Sequence, residues 1–236
     1  MSFDAVTQAA LPSTEVTALH LLRHPHVDTG GRRLAYGHAD LPLSARGRAE
    51  AEDLLAFALA RLPRPDGVLS SDLIRCRALA EPLARTFDVP LEATPALREQ
   101  AMGAWEGAAW EDLTREDEPA VQAWWADYLH ARPPGGESLH DLALRVERWR
   151  ATSWERLRGR RWLVVTHVGV IRALTCALLG LPYDQALRFA PARASHTLFV
   201  LAEAGAVLEV FGERPPPAGL AGDARKVAPH AWEPQP

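Results

Sequence analysis

The stretch Leu19-His20-Leu21-Leu22-Arg23-His24-Pro25 decides how the chain is interpreted, because it joins a strand to a polar end. The mostly apolar run of residues 19–22 predicts a short buried strand, and Arg23 and His24 follow at its carboxyl end. In open α/β sheets, ligands bind beyond the carboxyl ends of the strands. The stretch therefore predicts a site there, with His24 as a nucleophile towards phosphorus and Arg23 as the start of a phosphate pocket. The alternative is a strand that ends in an ordinary polar turn, and the dipeptide alone does not exclude it.

Two further segments repeat this strand-to-polar-turn design. Residues 162–166 form a continuous apolar run, as expected for a strand buried on both faces, and His167 follows directly. Residues 67–70 predict another short strand, followed by a helix that carries Arg75 in its first turn. The start of that helix is expected to offer free N–H groups to an anion. The alternative is that Arg75 is an ordinary surface arginine on this helix.

Composition favours one globular α/β domain. The chain has 236 residues, is 47% hydrophobic and carries a formal net charge of -4. This balance argues against a nucleic-acid-binding protein, which would show a basic face, but leaves room for a local positive pocket. No stretch reaches the roughly 20 apolar residues that a membrane span needs. The first residues lack the pattern of a secretion signal, so we expect a cytoplasmic protein.

The cysteines do not indicate a disulfide or a metal site. Cys76 and Cys176 are the only two, and neither belongs to a ligand-spacing motif. We therefore expect buried, unpaired thiols, and we expect neither a metal nor another cofactor.

The polar residues at the predicted strand ends form a set suited to phosphoryl transfer. Arginine forks match phosphate oxygens, and a neutral histidine can attack phosphorus to give a phosphohistidine. A second histidine can donate a hydrogen bond to the transferring oxygens, and a carboxylic acid can protonate the leaving alkoxide and then activate water. The candidates are Arg23, His24, Arg75, Glu99 and His167, and Glu99 lies in the irregular, glycine-rich segment 97–107.

Taken together, these motifs resemble the histidine phosphatase superfamily, also called phosphoglycerate-mutase-like proteins. The matching pieces occur in the family's order over roughly residues 19 to 180. They are Leu22-Arg23-His24, Tyr36-Gly37 with Asp40-x-Pro42-Leu43 and Gly47, Ser70-Ser71-Asp72-Leu73-x-Arg75-Cys76, Leu97-Arg98-Glu99 with Gly103-x-Trp105-Glu106-Gly107, Pro134-Gly135-Gly136-Glu137-Ser138, and Val165-Thr166-His167-Val168-Gly169.

The resemblance implies a three-layer α/β/α sandwich with a mostly parallel sheet and a small helical cap. It implies a metal-independent phosphatase that hydrolyses a small-molecule phosphomonoester through a phosphohistidine. By motif position, His24 is the phosphorylated nucleophile and Glu99 the proton donor and acceptor. Arg23, Arg75 and His167 fall where family members bind the phosphate, and the backbone of Val168 and Gly169 falls beside that pocket.

The loop after the nucleophile departs from the family pattern. Pro25 stands where a glycine is usual, so any hydrogen bond from that amide is lost. The family's downstream asparagine is also absent, and His26 and Arg32 are the candidates to replace its contact; of these, His26 is our candidate substrate contact. The loop resembles most the α-ribazole phosphatase-like branch, whose members remove a 5′-phosphate in cobalamin assembly.

Two other functions stay open at this point. A phosphoglycerate mutase would use the same chemistry with water excluded, and a catalytically silent member would bind phosphate esters as a regulatory module. For the domain layout we expect an N-terminal arm at 1–16, a phosphatase domain at 17–213 with a cap insertion at about 105–135, and a disordered tail at 214–236. We expect a monomer or a homodimer with a small phosphorylated substrate, no nucleic acid and no membrane partner.

Overall fold

The central sheet contains six strands in the order β3-β2-β4-β1-β5-β6. The computed structural model describes residues 16–202 and 205–216. Strands β3, β2, β4 and β1 run parallel, while β5 and β6 are antiparallel to their neighbours. The expectation of a mostly parallel α/β sheet is confirmed. The strands are β1 (Thr17–Arg23), β2 (Gly67–Ser71), β3 (Leu91–Thr94), β4 (Arg161–Thr166), β5 (His196–Ala202) and β6 (Gly205–Glu213).

Helices cover both faces of this sheet, which makes the fold a three-layer sandwich. Side chains alternate along a strand, so Leu21 of β1 packs against the core on one face and Leu22 against the core on the other. The first core includes residues of α5 and α6, and the second includes residues of α1 and α2. The helices are α1 (Ala45–Arg61), α2 (Ile74–Phe87), α3 (Trp110–Glu116), α4 (Glu118–Ala126), α5 (Leu139–Leu157) and α6 (Val168–Leu178), with short 3₁₀ turns at Pro95–Leu97, Gly103–Trp105 and Tyr183–Arg188.

Helix starts follow the sequence signals in two cases. The Ser44 hydroxyl accepts a hydrogen bond from the Gly47 amide and caps α1. Ser138 and Asp141 form a capping box at the start of α5. These caps fix where both helices leave the loops that carry site residues.

The start of α2 differs from the prediction. The helix begins at Ile74, and the Ile74 amide donates to the Asp40 carboxylate at 2.7 Å. An N–H group expected to be free for an anion is therefore occupied by a side chain from a loop 34 residues earlier. Local sequence does not show this because the partner is distant along the chain.

Helices α3 and α4 lie in the segment predicted as a cap, and they enclose a small core of their own. Trp105 and Trp124 are buried in it, whereas Trp125 is 57% exposed. Trp124 therefore contributes to this core, whereas Trp125 does not. Residues 1–15 of the predicted arm and 217–236 of the predicted tail lie outside the described residues. In the described part, no helix has both the length and the apolar character needed to cross a membrane.

A buried histidine pair joins β1 to β5 beside the second core. His20 Nδ1 lies 3.0 Å from His196 Nε2, and the two rings stack at 5.2 Å. Burial and the neighbouring His196 and Arg161 lower the pKa of His20 to about 3, and burial lowers the pKa of His196 to about 4. Both rings are therefore neutral in the folded protein at neutral pH.

These depressed pKa values predict that the fold weakens in acid. In the unfolded chain both histidines bind protons near pH 6.5, so below that pH unfolding takes up protons. The free energy of unfolding should fall between pH 6.5 and about 4, by up to about 1.4 kcal/mol for each pH unit and each proton taken up. Urea titrations across this range measure the slope. His20→Asn should make it shallower; an equal slope in His20→Asn contradicts the assignment.

Candidate active site

The pairing of β1 with β4 brings the two histidines of the site together. Arg23 pairs with Thr166 in register, and the His24 amide donates to the Thr166 carbonyl at 2.9 Å. Each strand ends there, so His24 and His167 leave the sheet side by side, with ring centroids 5.1 Å apart. Strand β2 pairs with the other edge of β4, so the helix that follows it delivers Arg75 to the same place.

The His24 ring is held in one tautomer. Its Nδ1 lies 2.7 Å from the Pro25 carbonyl oxygen. A carbonyl only accepts hydrogen bonds, so the proton sits on Nδ1 and Nε2 keeps its lone pair. Burial and the nearby Arg75 and Arg23 lower the pKa of His24 well below its ordinary value. The ring is therefore neutral with a bare Nε2, which is the form a nucleophile needs.

His167 is the second buried ring, with its orientation set by α2. Arg75 Nε donates to His167 Nδ1 at 3.4 Å, and Cys76 Sγ lies 3.4 Å from the opposite nitrogen, Nε2. Because Nδ1 accepts, a neutral His167 carries its proton on Nε2. Burial and the charges of Arg75 and the other site residues lower the pKa of His167 well below its ordinary value.

Arg75 is fully buried, and backbone carbonyls hold its guanidinium group. Nη1 donates to Ala39 O at 2.7 Å and Nη2 donates to Gly37 O at 2.5 Å. The ring of Tyr36 lies 5.4 Å from the guanidinium carbon. Three of the five N–H donors are used within the protein, so two remain for a ligand.

Glu106 stabilises the loop 37–39, whose carbonyls bind Arg75. Its carboxylate accepts four backbone hydrogen bonds at 2.7–3.0 Å, three from successive residues of that loop. Burial acts to raise the pKa of Glu106, but the four N–H donors outweigh it and the pKa is lowered. The loop also packs too closely for a side chain at Gly37, where a Cβ would lie 1.7 Å from the Gln100 carbonyl oxygen. The four backbone N–H groups that donate to the Glu106 carboxylate are those of Gly37, His38, Ala39 and Met102.

Glu99 is fixed through both its side chain and its backbone. The Gly169 amide donates to its carboxylate at 3.0 Å. The Glu99 carbonyl accepts from His38 Nε2 at 3.0 Å and from Arg145 Nη2 at 3.1 Å. Arg145 is in turn paired with Glu137 at 2.8 Å. The Gly169 amide, expected beside the phosphate, is therefore engaged by the carboxylate.

Arg23 is anchored at one end. Its Nη1 donates to the Pro191 carbonyl at 2.7 Å, and its Nε is buried with no hydrogen-bond partner among the described residues. Burial lowers the pKa of Arg23 to about 10; Glu99 opposes this shift and Arg193 adds to it. The guanidinium stays charged at neutral pH and keeps donors for a ligand.

Two clefts open beside these residues. One, of about 570 Å³, is lined by residues of the loop 26–36 together with Ser44, Trp110 and Arg193, and we call it the aromatic cleft. The other, of about 330 Å³, shares Arg23 and Val168 with the site and is named the basic cleft. Their sizes suit parts of a small-molecule substrate.

The loop residues predicted to replace the missing asparagine both line the aromatic cleft. His26 Nδ1 lies 2.9 Å from the Ser44 hydroxyl, and Arg32 pairs with Asp112 of α3. Neither contact leads to the Arg75 guanidinium. Tyr36 instead links the aromatic cleft to Arg75. Its hydroxyl accepts a hydrogen bond from Arg193 Nη2 at 3.1 Å, and its ring faces the Arg75 guanidinium.

Sequence reasoning missed Arg193 altogether. It lies in a loop before β5 with no periodic pattern and no motif, yet its charge acts on both His24 and Arg23. Among residues 16–202 and 205–216, no cluster of three His, Cys, Asp or Glu side chains is arranged to hold a metal ion.

A bare histidine nitrogen, a second neutral histidine, the buried Arg75, the partly buried Arg23 and a carboxylate thus lie near one edge of the sheet, and these are groups that phosphoryl transfer uses. The chain belongs to the histidine phosphatase superfamily, branch 1, whose family model matches residues 19–214. Members of this superfamily act through a phosphohistidine, and the chain is a phosphatase of the phosphoric monoester hydrolase class.

Three relatives illustrate the match. An adenosylcobalamin/α-ribazole phosphatase of Escherichia coli is 34% identical over 171 residues, covering 72% of this chain and 83% of that protein. A probable phosphoglycerate mutase of Salmonella paratyphi C is 32% identical over 164 residues, covering 70% and 75%. The crystal structure of an α-ribazole phosphatase from Shigella flexneri superposes with a TM-score of 0.76 at 31% identity, covering 84% of this chain and 96% of the other.

The contact between Gly169 and Glu99 predicts a sharp effect of one methyl group. A Cβ at residue 169 would lie 2.2 Å from Glu99 Oε1, so Gly169→Ala must displace the carboxylate. We expect kcat to fall by roughly 10²-fold, the usual size of a general acid–base contribution. Steady-state hydrolysis of para-nitrophenyl phosphate measures the loss, and a thermal melt controls for folding.

A double variant tests the cause of that loss. If Gly169→Ala acts only through Glu99, adding it to Glu99→Gln should cost little more than Glu99→Gln alone. Independent, multiplying losses in the double variant would contradict this interpretation, as would full activity of Gly169→Ala.

Proposed function

We propose that His24 is the nucleophile of this phosphatase and that its substrate is a small phosphomonoester. His24 Nε2 attacks phosphorus, the bond to the ester oxygen breaks, and Glu99 in its acid form gives its proton to the leaving oxygen. Glu99 then takes a proton from water, whose oxygen attacks phosphorus and breaks the P–N bond. Inorganic phosphate leaves and both side chains return to their starting states.

The observation that carries the proposal is the hydrogen bond from His24 Nδ1–H to the Pro25 carbonyl. It leaves Nε2 unprotonated, and the lowered pKa of the ring keeps it so. The same bond stabilises the positive character that the ring gains as the P–N bond forms.

Arginines supply the charge that a phosphate needs. Arg23 and Arg75 each keep free N–H donors beside the two rings, and planar guanidinium groups bind phosphate oxygens in pairs. His167 carries its single N–H on Nε2, against the Cys76 thiol, so in this proposal it donates to the phosphate by exchanging that contact. In this proposal no metal takes part, and positioning together with these donors carries the transition-state charge.

The leaving group of the substrate occupies the aromatic cleft in this proposal. Trp110 and Tyr36 offer flat faces there, next to the proposed phosphate pocket. An ester with an aromatic base suits such a cleft, and α-ribazole phosphate, the substrate named for the Escherichia coli and Shigella flexneri relatives, is of that kind. A cytoplasmic location and a monomer or homodimer belong to the same proposal and rest on the sequence.

The decisive experiment follows phosphate through the enzyme. Wild-type protein with a chelator should release inorganic phosphate from α-ribazole phosphate and para-nitrophenyl phosphate, and His24→Ala should lose at least about 10³-fold of that rate, as a removed nucleophile does. Labelled phosphoenzyme trapped during turnover should be acid-labile and alkali-stable, as a phosphoramidate is.

Matched controls separate the alternatives. His140→Ala, a histidine outside the site, should keep full activity. Turnover that survives in His24→Ala would refute the nucleophile assignment. Interconversion of phosphoglycerates without phosphate release would instead identify a mutase, and tight ester binding without turnover would identify a silent member.

Trp110 should set the preference for aromatic leaving groups. Trp110→Leu removes a flat face from the aromatic cleft, and a lost aromatic contact is expected to raise KM for α-ribazole phosphate by about 3- to 10-fold. KM for glycerol phosphate should change little, since that ester has no ring to stack. Trp125→Leu is the matched control, because Trp125 is exposed and does not line the cleft. Equal changes for both esters would contradict the role.

A further inference from the structure

The basic cleft gathers five arginines in a space of about 330 Å³. Arg23, Arg172 and Arg193 form its wall with Val168 and the short segment 190–192. Arg46 and Arg214 complete the lining, and no carboxylate of the described residues lines the cleft. Positive charges are thus concentrated on one side of the site in a chain whose net charge is negative.

The three wall arginines make their hydrogen bonds with neutral groups. Arg23 donates to the Pro191 carbonyl, Arg172 Nε donates to the Phe189 carbonyl at 2.7 Å, and Arg193 Nη2 donates to the Tyr36 hydroxyl. At the rim, Arg46 is paired with Glu50 at 2.7 Å. Those contacts therefore do not balance the wall charges inside this cleft, and the carboxylates near Arg193, Glu50 and Asp53, line a neighbouring cleft.

Two nitrogen atoms of this wall are buried without a partner. Arg23 Nε and Arg193 Nε donate a hydrogen bond to no acceptor among the described residues, although both atoms are removed from solvent. Repulsion from Arg193 and Arg172 also contributes to the lowered pKa of Arg23. Partly buried cations that repel one another and leave buried N–H groups without an acceptor cost stability unless an anion joins them.

This cleft is separate from the phosphate position proposed above. Its lining includes Arg23 and Val168 but not His24, Arg75, Glu99 or His167. A phosphate on His24 would therefore lie beside the cleft rather than inside it, and Arg23 would stand between the two.

We propose that the basic cleft binds a second anionic group, a phosphate or a carboxylate, of the substrate whose phosphomonoester is cleaved at His24. The inference rests on the proposed function and narrows it, because it makes a doubly anionic ester the preferred substrate. Esters with a single anionic group, α-ribazole phosphate included, would fill the phosphate pocket and leave this cleft without an anion. Arg172 and Arg193 become specificity residues in this arrangement.

The test compares matched esters that differ in the second anion. The probes are the bisphosphates of propanediol, butanediol and hexanediol and the corresponding monophosphates. The three carbon chains hold the two phosphates at different distances from each other. For at least one length, the bisphosphate should have kcat/KM at least about tenfold above its monophosphate, since a second charge-assisted contact is gained. No preference at any length overturns the proposal.

Variants locate the preference. Arg172→Gln should reduce the bisphosphate preference several-fold and leave the hydrolysis of para-nitrophenyl phosphate within about twofold. Arg172→Lys should restore part of the preference because it keeps the charge. Arg148→Gln, which removes an exposed positive charge on α5, should keep the full preference, and equal effects of Arg148→Gln and Arg172→Gln overturn the proposal.

Two safeguards keep the result decisive. If Arg172→Gln does not fold, Arg193→Gln removes a second wall charge and is expected to reduce the ratio of bisphosphate to monophosphate kcat/KM, which is the readout because Arg193 also lines the aromatic cleft. Calorimetric binding of each bisphosphate and monophosphate to His24→Ala measures the cleft without turnover. Failure of the proposed function then appears as no hydrolysis of para-nitrophenyl phosphate, whereas failure of this inference appears as equal affinity for the two probes.

Discussion

The parallel pairing of β1 with β4 is the constraint on which the site depends. It sets Arg23 opposite Thr166 and places the His24 amide on the Thr166 carbonyl. A slip of one residue would turn every side chain of β1 to the opposite face and would separate the two rings of the site. Both faces of β1 and β4 are buried under helices, and this burial fixes the register.

A second layer of contacts turns that register into a reactive geometry. Arg75 is oriented by two carbonyls, and their loop is oriented by the Glu106 carboxylate. Glu99 is oriented by the Gly169 amide and by the Arg145 and Glu137 pair. The side chains of Arg75 and Glu99 are thus oriented by hydrogen bonds to the residues around them. They need to move little for the reaction to occur.

The part of the site predicted from sequence consists of residues at strand ends and in recognisable motifs. Arg23, His24, Arg75 and His167 follow apolar runs, which made their common edge predictable, while Glu99 was a candidate from the irregular segment 97–107 and received its specific role from the family resemblance. The cap that Asp40 provides for α2 and the position of Arg193 could not be predicted in this way. Both depend on contacts between loops distant in sequence, which leave no periodic signal. The assignment of catalytic roles remains a prediction.

The residue after the nucleophilic position illustrates what a motif encodes. Glycine is usual there and this chain has proline, yet His24 engages the carbonyl of that residue and has no need of its N–H. Proline keeps its carbonyl, so the tautomer is preserved while the turn becomes stiffer. A search pattern written as Arg-His-Gly specifies a side chain where the chemistry specifies an acceptor atom. Chains with other residues at this point would be passed over by such a pattern although their histidine is held in the same state.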